Sequence, residues 1–466
     1  MQTKKISLFS LIMLIVASID SIRNLPSAAL FGSALVFFFI VSSIVFLVPT
    51  ALVSAELTAS YPDKGGVYYW VYRALGEKAA LLAIWMQWIN TMVWYPTILS
   101  FIAATASYLI DPALAQNKTY LITLILGVFW FMTLVNFKGL HFSAKINSFC
   151  GMIGTVIPMT FLIGLGAIWF FSGKPLHISL SANQLIPSLA DSTNWISLIA
   201  IMASFLGMEL TAVHVNDINE PQKKYPQAVL LSSLFILITM LFGSLAIAFV
   251  LPAEKINLIA GVMQVLSYFF EEFHMGFLTP VLSICIVLGL MGSIINWLIS
   301  PAKGLLHAAE FGYLPPFFTK RNKNGAPVSI LLAQGVVVSL LCIVFLLVPS
   351  INGFYWFLTA LSTGLYMIMY VLMFLSFFKL RRAKDAEGKN FRVPGGMVGV
   401  YLLSFLGCFG CLITIIVSFI PPDNIEVGSS LRYVLMVLAA NLLAILPVSL
   451  LIFYKSRRGL IRQELS

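Results

Sequence analysis

Twelve apolar stretches follow one another along the chain, at approximately residues 7–32, 34–57, 81–110, 119–137, 146–171, 195–215, 227–251, 276–300, 328–349, 353–378, 397–420 and 431–454. A helix needs roughly 20 apolar residues to cross a hydrocarbon core, and a spanning helix pairs all of its own backbone polar groups. The pattern therefore predicts an all-α membrane protein with twelve transmembrane helices. The segments between them are too short for a separate soluble domain, so residues 1–466 read as one integral membrane domain. Lys4 and Lys5 precede the first stretch, but no small-residue cleavage site follows it, so it reads as a retained span rather than a signal peptide.

Two of the stretches are broken midway by groups that a bilayer tolerates poorly. The first carries Ser18-Ile19-Asp20-Ser21-Ile22-Arg23-Asn24-Leu25-Pro26, and the sixth carries Leu206-Gly207-Met208-Glu209-Leu210-Thr211. An aspartate or arginine at the centre of a membrane helix costs about 2.5–3.5 kcal/mol on insertion scales, so such residues usually face a cavity and carry function. Interrupted helices five spans apart point to a transport site at the bilayer midplane. Plainer readings stand beside this one. On an unbroken helix Asp20 and Arg23, three apart, form a structural ion pair. Glu209 reads as a hydrogen-bonded packing carboxyl, although the nearby Gly207 favours a backbone break. His214, just past the second break, reads as a pH sensor or as a hydrogen-bonded structural histidine.

Composition agrees with the class. Of 466 residues 60% are hydrophobic and 10% charged, with a mean hydropathy of +0.96, against about 25% charged in a soluble domain. The net charge of +10 suggests nucleic acid until its placement is followed. With a cytoplasmic N-terminus, 23 of the 28 Lys and Arg fall on inside segments and 4 outside (Lys118, Lys174, Lys255 and Arg432), with Arg23 left in the membrane. The positive-inside rule then puts both termini in the cytoplasm. The basic excess is an orientation signal with a secondary attraction to anionic lipid, and no nucleic-acid partner is expected.

Cys150, Cys285, Cys342, Cys408 and Cys411 all fall in apolar stretches. Cys408 and Cys411 form a C-x-x-C, which on a helix is one turn and reads as packing rather than a metal or redox site. Neither a metal nor a cofactor is predicted. No glycine-rich nucleotide loop with its Lys and Ser/Thr occurs, which disfavours an ATP-driven pump and leaves ion or exchange gradients. Asn117-Lys118-Thr119 matches a glycosylation acceptor on an outside loop. The segment from Tyr61 to Glu77 opens with turn chemistry and continues as an amphipathic surface element. Ile256 through Gln264 is too short to span and reads as a re-entrant or interfacial element suited to a lid.

Several local runs, in their order and spacing, resemble a known group. They are Asp63 through Trp70, Gly207-Met208-Glu209 to His214-Val215-Asn216, Ile256 through Gln264, Asn322-Lys323-Asn324-Gly325-Ala326-Pro327-Val328 and Ser418-Phe419-Ile420-Pro421-Pro422-Asp423-Asn424-Ile425. Over nearly its whole length the chain resembles amino acid permeases of the amino acid–polyamine–organocation superfamily. More narrowly, it is similar to the bacterial glutamate/4-aminobutyrate antiporters of acid resistance. The resemblance implies a 5+5 inverted repeat, residues 7–171 and 195–378, followed by two extra helices in 397–454. Helices 1 and 6 would be discontinuous, their freed backbone groups binding the carboxylate and amino group of an amino acid.

Carried over by position, Arg23, Glu209, Ser293, Tyr366 and Tyr370 fall where that family lines its substrate path. Tyr366 and Tyr370, four apart on one helix face, read as packing aromatics as readily as pocket wall. Trp94 and Tyr95 read as core or lipid-facing rather than ligand-binding. The chain departs from the family in three ways. Ser18, Asp20 and Ser21 replace a glycine-rich break. Arg23 stands where the exchangers have an aromatic hydroxyl and Ser293 where they have an acid, which changes the charge balance of the pocket. About a dozen residues follow the last stretch, where the exchangers carry a longer plug, which argues against acid-gated activity.

The reading is an amino acid transporter of the bacterial inner membrane, not an enzyme, that exchanges substrates by alternating access. Its substrate-binding set is Ser18, Asp20, Ser21, Arg23, Gly207, Glu209, Ser293, Tyr366 and Tyr370. The carboxylate docks near Ser18, Ser21 and Arg23. The amino group is held by carbonyls of the sixth span and by Glu209 or Asp20, with the two tyrosines as wall or inner gate. In the empty site Asp20 and Arg23 neutralise each other. The alternatives are a proton-coupled uptake permease and a non-transporting amino acid sensor, the latter disfavoured by the lack of a signalling domain. A channel is disfavoured because no carbonyl filter or ring of like charges is evident. Partners are the amino acid and membrane lipid, with a homodimer left open.

Overall fold

The computed structural model describes residues 6–61, 66–138, 152–188, 192–310, 312–347, 350–383, 391–423 and 425–464. Backbone groups in lipid must be paired within the chain. The described residues meet that demand with helices, and no strand occurs among them beyond an isolated bridge between Ile6 and Ile218. In chain order the helices are α1 (Leu8–Ile19), α2 (Leu25–Ala29), α3 (Leu35–Ser42), α4 (Val48–Ser60), α5 (Val67–Leu75), α6 (Glu77–Ser107), α7 (Lys118–Asn136) and α8 (Ile157–Phe171). They continue with α9 (Ala182–Leu185), α10 (Ser197–Ala203), α11 (Pro221–Val250), α12 (Gly261–Glu272), α13 (Leu278–Glu310), α14 (Val328–Leu347), α15 (Ile351–Arg382), α16 (Gly396–Val417) and α17 (Ser430–Glu464).

Nine segments among the described residues are helical, long and apolar enough to cross a membrane. Three other predicted stretches correspond to α6, which is 31 residues long, and to the shorter apolar helices Asn194–Ala203 and Val328–Ile343. The chain is a multi-pass, all-helical membrane protein. Large apolar side chains such as Phe405 and Ile416 on α16 and Leu443 and Phe453 on α17 stay exposed, as a lipid-facing surface requires.

Both broken stretches are interrupted in the structure. Ser7 caps α1 by accepting the Ser10 N–H. The helix stops at Asp20, where Asp20 and Ser21 are extended at φ −68°, ψ 97° and φ −119°, ψ 111°. A 3-10 turn at Ile22–Asn24 follows, and α2 restarts with Pro26 in its first turn, where a missing N–H costs nothing. In the sixth stretch α10 gives way to turns over residues 204–209 and then to a 3-10 segment, Leu210–Asp217. Gly207 sits there at φ +107°, a conformation that side chains with a Cβ rarely adopt.

The interior is organised by α6 and α15, which pack antiparallel. Gln87 meets Tyr366 at 3.1 Å and Asn90 meets Ser362 at 2.6 Å, so position rises on one helix as it falls on the other. Around this pair α13 packs on α6, α16 on α15, and α11 on α1 and α4. The elements expected between spans also find places. On α5, Val67, Trp70, Val71 and Ala74 are buried while Tyr72 and Arg73 are exposed, the division an interfacial helix needs. Ile256, Leu258 and Ile259 are buried just ahead of α12, and Asn257 accepts the N–H groups of Ile259 and Ala260. A Cβ on Gly261 would lie 3.0 Å from Pro26, so this segment rests on α2. Asn117, the glycosylation candidate, is the N-cap of α7 and accepts the Tyr120 N–H.

Glu56, near the end of α4, is buried, forms an ion pair with Arg381 Nε at 2.9 Å and accepts the Val393 N–H at 2.6 Å, tying α4 to the connection between α15 and α16. The segment 152–156 and α13 approach so closely that Gly154 and Gly289 touch backbone to backbone. A methyl group on Gly289 would overlap Gly154 Cα and its carbonyl. Gly289→Ala is therefore expected to push the two helices apart and cost about 1–3 kcal/mol, read as a lower melting temperature of the purified protein in detergent.

Candidate functional site

Breaking a buried helix leaves amides without their usual acceptors. At the first break the N–H groups of Ser21 and Ile22 have no acceptor among the described residues, nor at the second do those of Leu206 and Met208. Gly207 N–H is rescued by Tyr370, whose hydroxyl accepts it at 2.8 Å. These groups lie deep in the bundle, where an unpaired donor is costly and an arriving acceptor is favoured.

Glu209 is the hub of the second break. It is 1% exposed and receives Gln87 Nε2 at 2.9 Å and Tyr366 OH at 2.5 Å on Oε1, and Tyr370 OH at 2.5 Å on Oε2. Tyr366 and Tyr370 lie one turn apart on α15, as their spacing predicts, with ring centroids at 5.2 Å. Both face Glu209 rather than only packing. Three neutral donors thus converge on a carboxyl that has no cation within ion-pair distance among the described residues.

Trp297 on α13 joins the two breaks. Its Nε1 donates to the carbonyl of Ser18 at 2.8 Å, and its ring approaches Tyr366 at 6.1 Å. A Cβ on Gly207 would meet that ring at 3.1 Å and Ile19 at 3.5 Å, so glycine is what lets the second break close on the first. Trp94 stacks on Trp297 at 5.0 Å and 29°, and the guanidinium of Arg23 lies 5.4 Å above Trp94. Trp94 thus packs between Trp297 and Arg23, while Tyr95 is buried core, as expected, and donates to the Trp297 carbonyl.

Asp20 and Arg23 do not pair, which corrects the sequence expectation. Asp20 Oδ2 accepts from Thr239 on α11 at 3.0 Å, and its Oδ1 is buried without a partner. Arg23 points elsewhere, donating to Thr97 Oγ1 at 2.8 Å and Tyr355 OH at 3.1 Å. The two extended residues at the break undo the helical register that would have set positions 20 and 23 on one face.

Nor do Arg23 and Glu209 share one pocket. Their partners on α6, Thr97 and Gln87, are ten residues apart, about 15 Å of helix axis. A single α-amino acid headgroup is too small to touch both. Among the other predicted residues, Ser18 gives its hydroxyl to the Leu14 carbonyl, Ser21 Oγ is unpartnered, and Ser293 is buried one turn before Trp297 without a hydrogen bond to Glu209 or Arg23. The side chain of His214 lies outside the described residues. Gln87, Thr97, Thr239, Trp297 and Tyr355 were not predicted. A lone amide or hydroxyl in an apolar stretch was the only available signal for the polar ones.

A sequence profile for the family described as amino acid permease matches residues 6–441. The chain belongs to the amino acid permease family. It is 40% identical over 424 residues to an uncharacterized transporter of Legionella pneumophila, covering 91% of each chain. It is 30% identical over 454 residues to a glutamate/gamma-aminobutyrate antiporter of Lactococcus lactis, covering 96% of this chain and 90% of that one. A putrescine transporter of Haemophilus influenzae is 23% identical over 392 residues, 81% of this chain and 87% of the relative. The family places the bundle among transporters of small amino compounds.

Removing the Tyr370 hydroxyl strands both the Gly207 N–H and Glu209 Oε2, whereas removing that of Tyr366 leaves Oε1 with Gln87. Tyr370→Phe is expected to destabilise the permease by about 1–3 kcal/mol and to lower the melting temperature more than Tyr366→Phe does. Thermal unfolding of the two purified variants, followed by size-exclusion fluorescence, checks the order.

Proposed function

We propose that this permease exchanges amino acids across the bacterial inner membrane by alternating access, in the manner of a glutamate/4-aminobutyrate-type antiporter. The observation that carries the proposal is the meeting of two unwound helices, each with unaccepted amides, around Trp297 and the Glu209 cluster. The substrate carboxylate takes the amides freed near Ser18 and Ser21. Its ammonium takes carbonyls of the second break beside Gly207 and approaches Glu209, which lacks a cation. Tyr366 and Tyr370 close the inner side, and Ser293 contributes to the wall.

All twelve stretches cross the membrane in this reading, as two inverted repeats (7–171 and 195–378) plus two further helices in 397–454, with both termini cytoplasmic. The distribution of Lys and Arg, 23 inside against 4 outside, supports that orientation. Transport is all the chain does here, without a cofactor.

One observation favours a second reading, proton-coupled uptake. Asp20 is 2% exposed, has no cationic partner among the described residues and leaves one oxygen unpaired, which suits a site that a proton fills and leaves.

Purified protein in liposomes separates the two with radiolabelled amino acids. Exchange requires unlabelled amino acid inside, whereas uptake into empty liposomes driven by a pH gradient selects the second reading. In either case Glu209→Ala is expected to abolish transport and remain monodisperse. Undiminished transport by Glu209→Ala would contradict the proposal.

A further inference from the structure

Arg23 stands apart from the central site, and its surroundings define what it lacks. The guanidinium is 3% exposed and touches neutral groups: the Thr97 and Tyr355 hydroxyls, and the ring faces of Trp94 and Tyr355 at 5.4 and 5.9 Å. No carboxylate lies within ion-pair distance of it among the described residues, and its Nε is buried without an acceptor. A buried cation without a counter-charge is costly, and a planar fork of donors matches a carboxylate.

A polar cavity lies one helical turn from the cage along α15. Tyr355 lies one turn along α15 from Asn352, whose Oδ1 accepts the Leu258 N–H at 3.1 Å in the segment resting on α2. Asn352, Ser350, Lys255, Asn257 and Gln264 help line a polar cavity of about 520 Å³. One helical turn therefore separates the cavity wall from the residue that holds Arg23. The Glu209 cluster begins at Tyr366, eleven residues further along α15, about 16 Å deeper.

The geometry points to Arg23 as an outer carboxylate station, distinct from the central site. The carboxylate of an incoming amino acid pairs with the guanidinium between Trp94 and Tyr355, then passes inward to the two breaks. This inference rests on the proposed transport function and on the start of α15 facing outside. It assigns the external face a preference for carboxylate-bearing amino compounds over amines that lack a carboxylate.

Right-side-out and inside-out membrane vesicles carrying wild type, Arg23→Gln or Arg23→Lys test it, with a mixture of radiolabelled amino acids as the probe. Arg23→Gln is expected to raise the half-saturating concentration at the external face by about tenfold and leave the internal face within about twofold, with Arg23→Lys between. The unchanged internal face shows that the variant is folded. Equal rises at both faces, a rise only at the internal face, or no rise at either would each overturn an outer station.

Wild-type vesicles that take up nothing would sink the transport reading, and tryptophan emission then reads the station alone. Sodium propionate is expected to alter the emission of purified wild type, with the change lost in Arg23→Gln and Trp94→Phe and absent with sodium chloride. A propionate response that survives in Arg23→Gln, or an equal response to chloride, overturns the carboxylate assignment.

Discussion

In a bilayer a peptide N–H with no acceptor costs several kcal/mol, so a chain that unwinds a helix at mid-membrane must surround the unwound residues with protein. The rest of this molecule is arranged around that cost. The first stretch unwinds at Asp20 and Ser21 and the sixth over residues 204–209. The longest helices near the centre, α6, α13 and α15, supply what the breaks need. Trp297 satisfies the Ser18 carbonyl, Tyr370 the Gly207 amide, and Gln87 with the two tyrosines the Glu209 carboxyl. Some amides are left over at both breaks, and those groups favour an arriving acceptor.

The charged groups divide by level. Glu209 is tied to the deeper turns of α6 and α15, Arg23 to turns about 15 Å away, and Asp20 faces α11 across Thr239. Along α6 and α15 a cation, an aromatic stack of Trp94 and Trp297, and a carboxyl follow one another. This order follows from the antiparallel register of two helices, because hydroxyl and amide positions along each are matched to opposite ends of the other.

Much of the architecture was legible in the sequence because lipid imposes a length rule on apolar stretches and a steep cost on charges within them. The positions of both breaks followed from Asp20, Arg23, Gly207 and Glu209, and the shared face of Tyr366 and Tyr370 followed from helical spacing, whereas their common partner Glu209 lies on a distant segment and did not. The Asp20–Arg23 pairing failed for a physical reason: spacing of three implies proximity only while the helix continues, and the residues that signal the break also destroy the register. Trp297 and Trp94 were invisible because an aromatic in an apolar stretch carries the same pattern whether it faces lipid, core or site. The partners of Arg23 sit 74 and 332 residues away in sequence, where local periodicity says nothing.

The central claim is that a bound amino acid completes the backbone of both broken helices at once. Amide hydrogen exchange measured by mass spectrometry tests it most directly, on purified protein with and without the amino acid that most raises its melting temperature. Peptides covering residues 17–25 and 203–211 should both exchange more slowly with the amino acid present, while peptides on the lipid-facing α16 and α17 should not change. Unchanged exchange at both breaks under saturating amino acid would contradict the account.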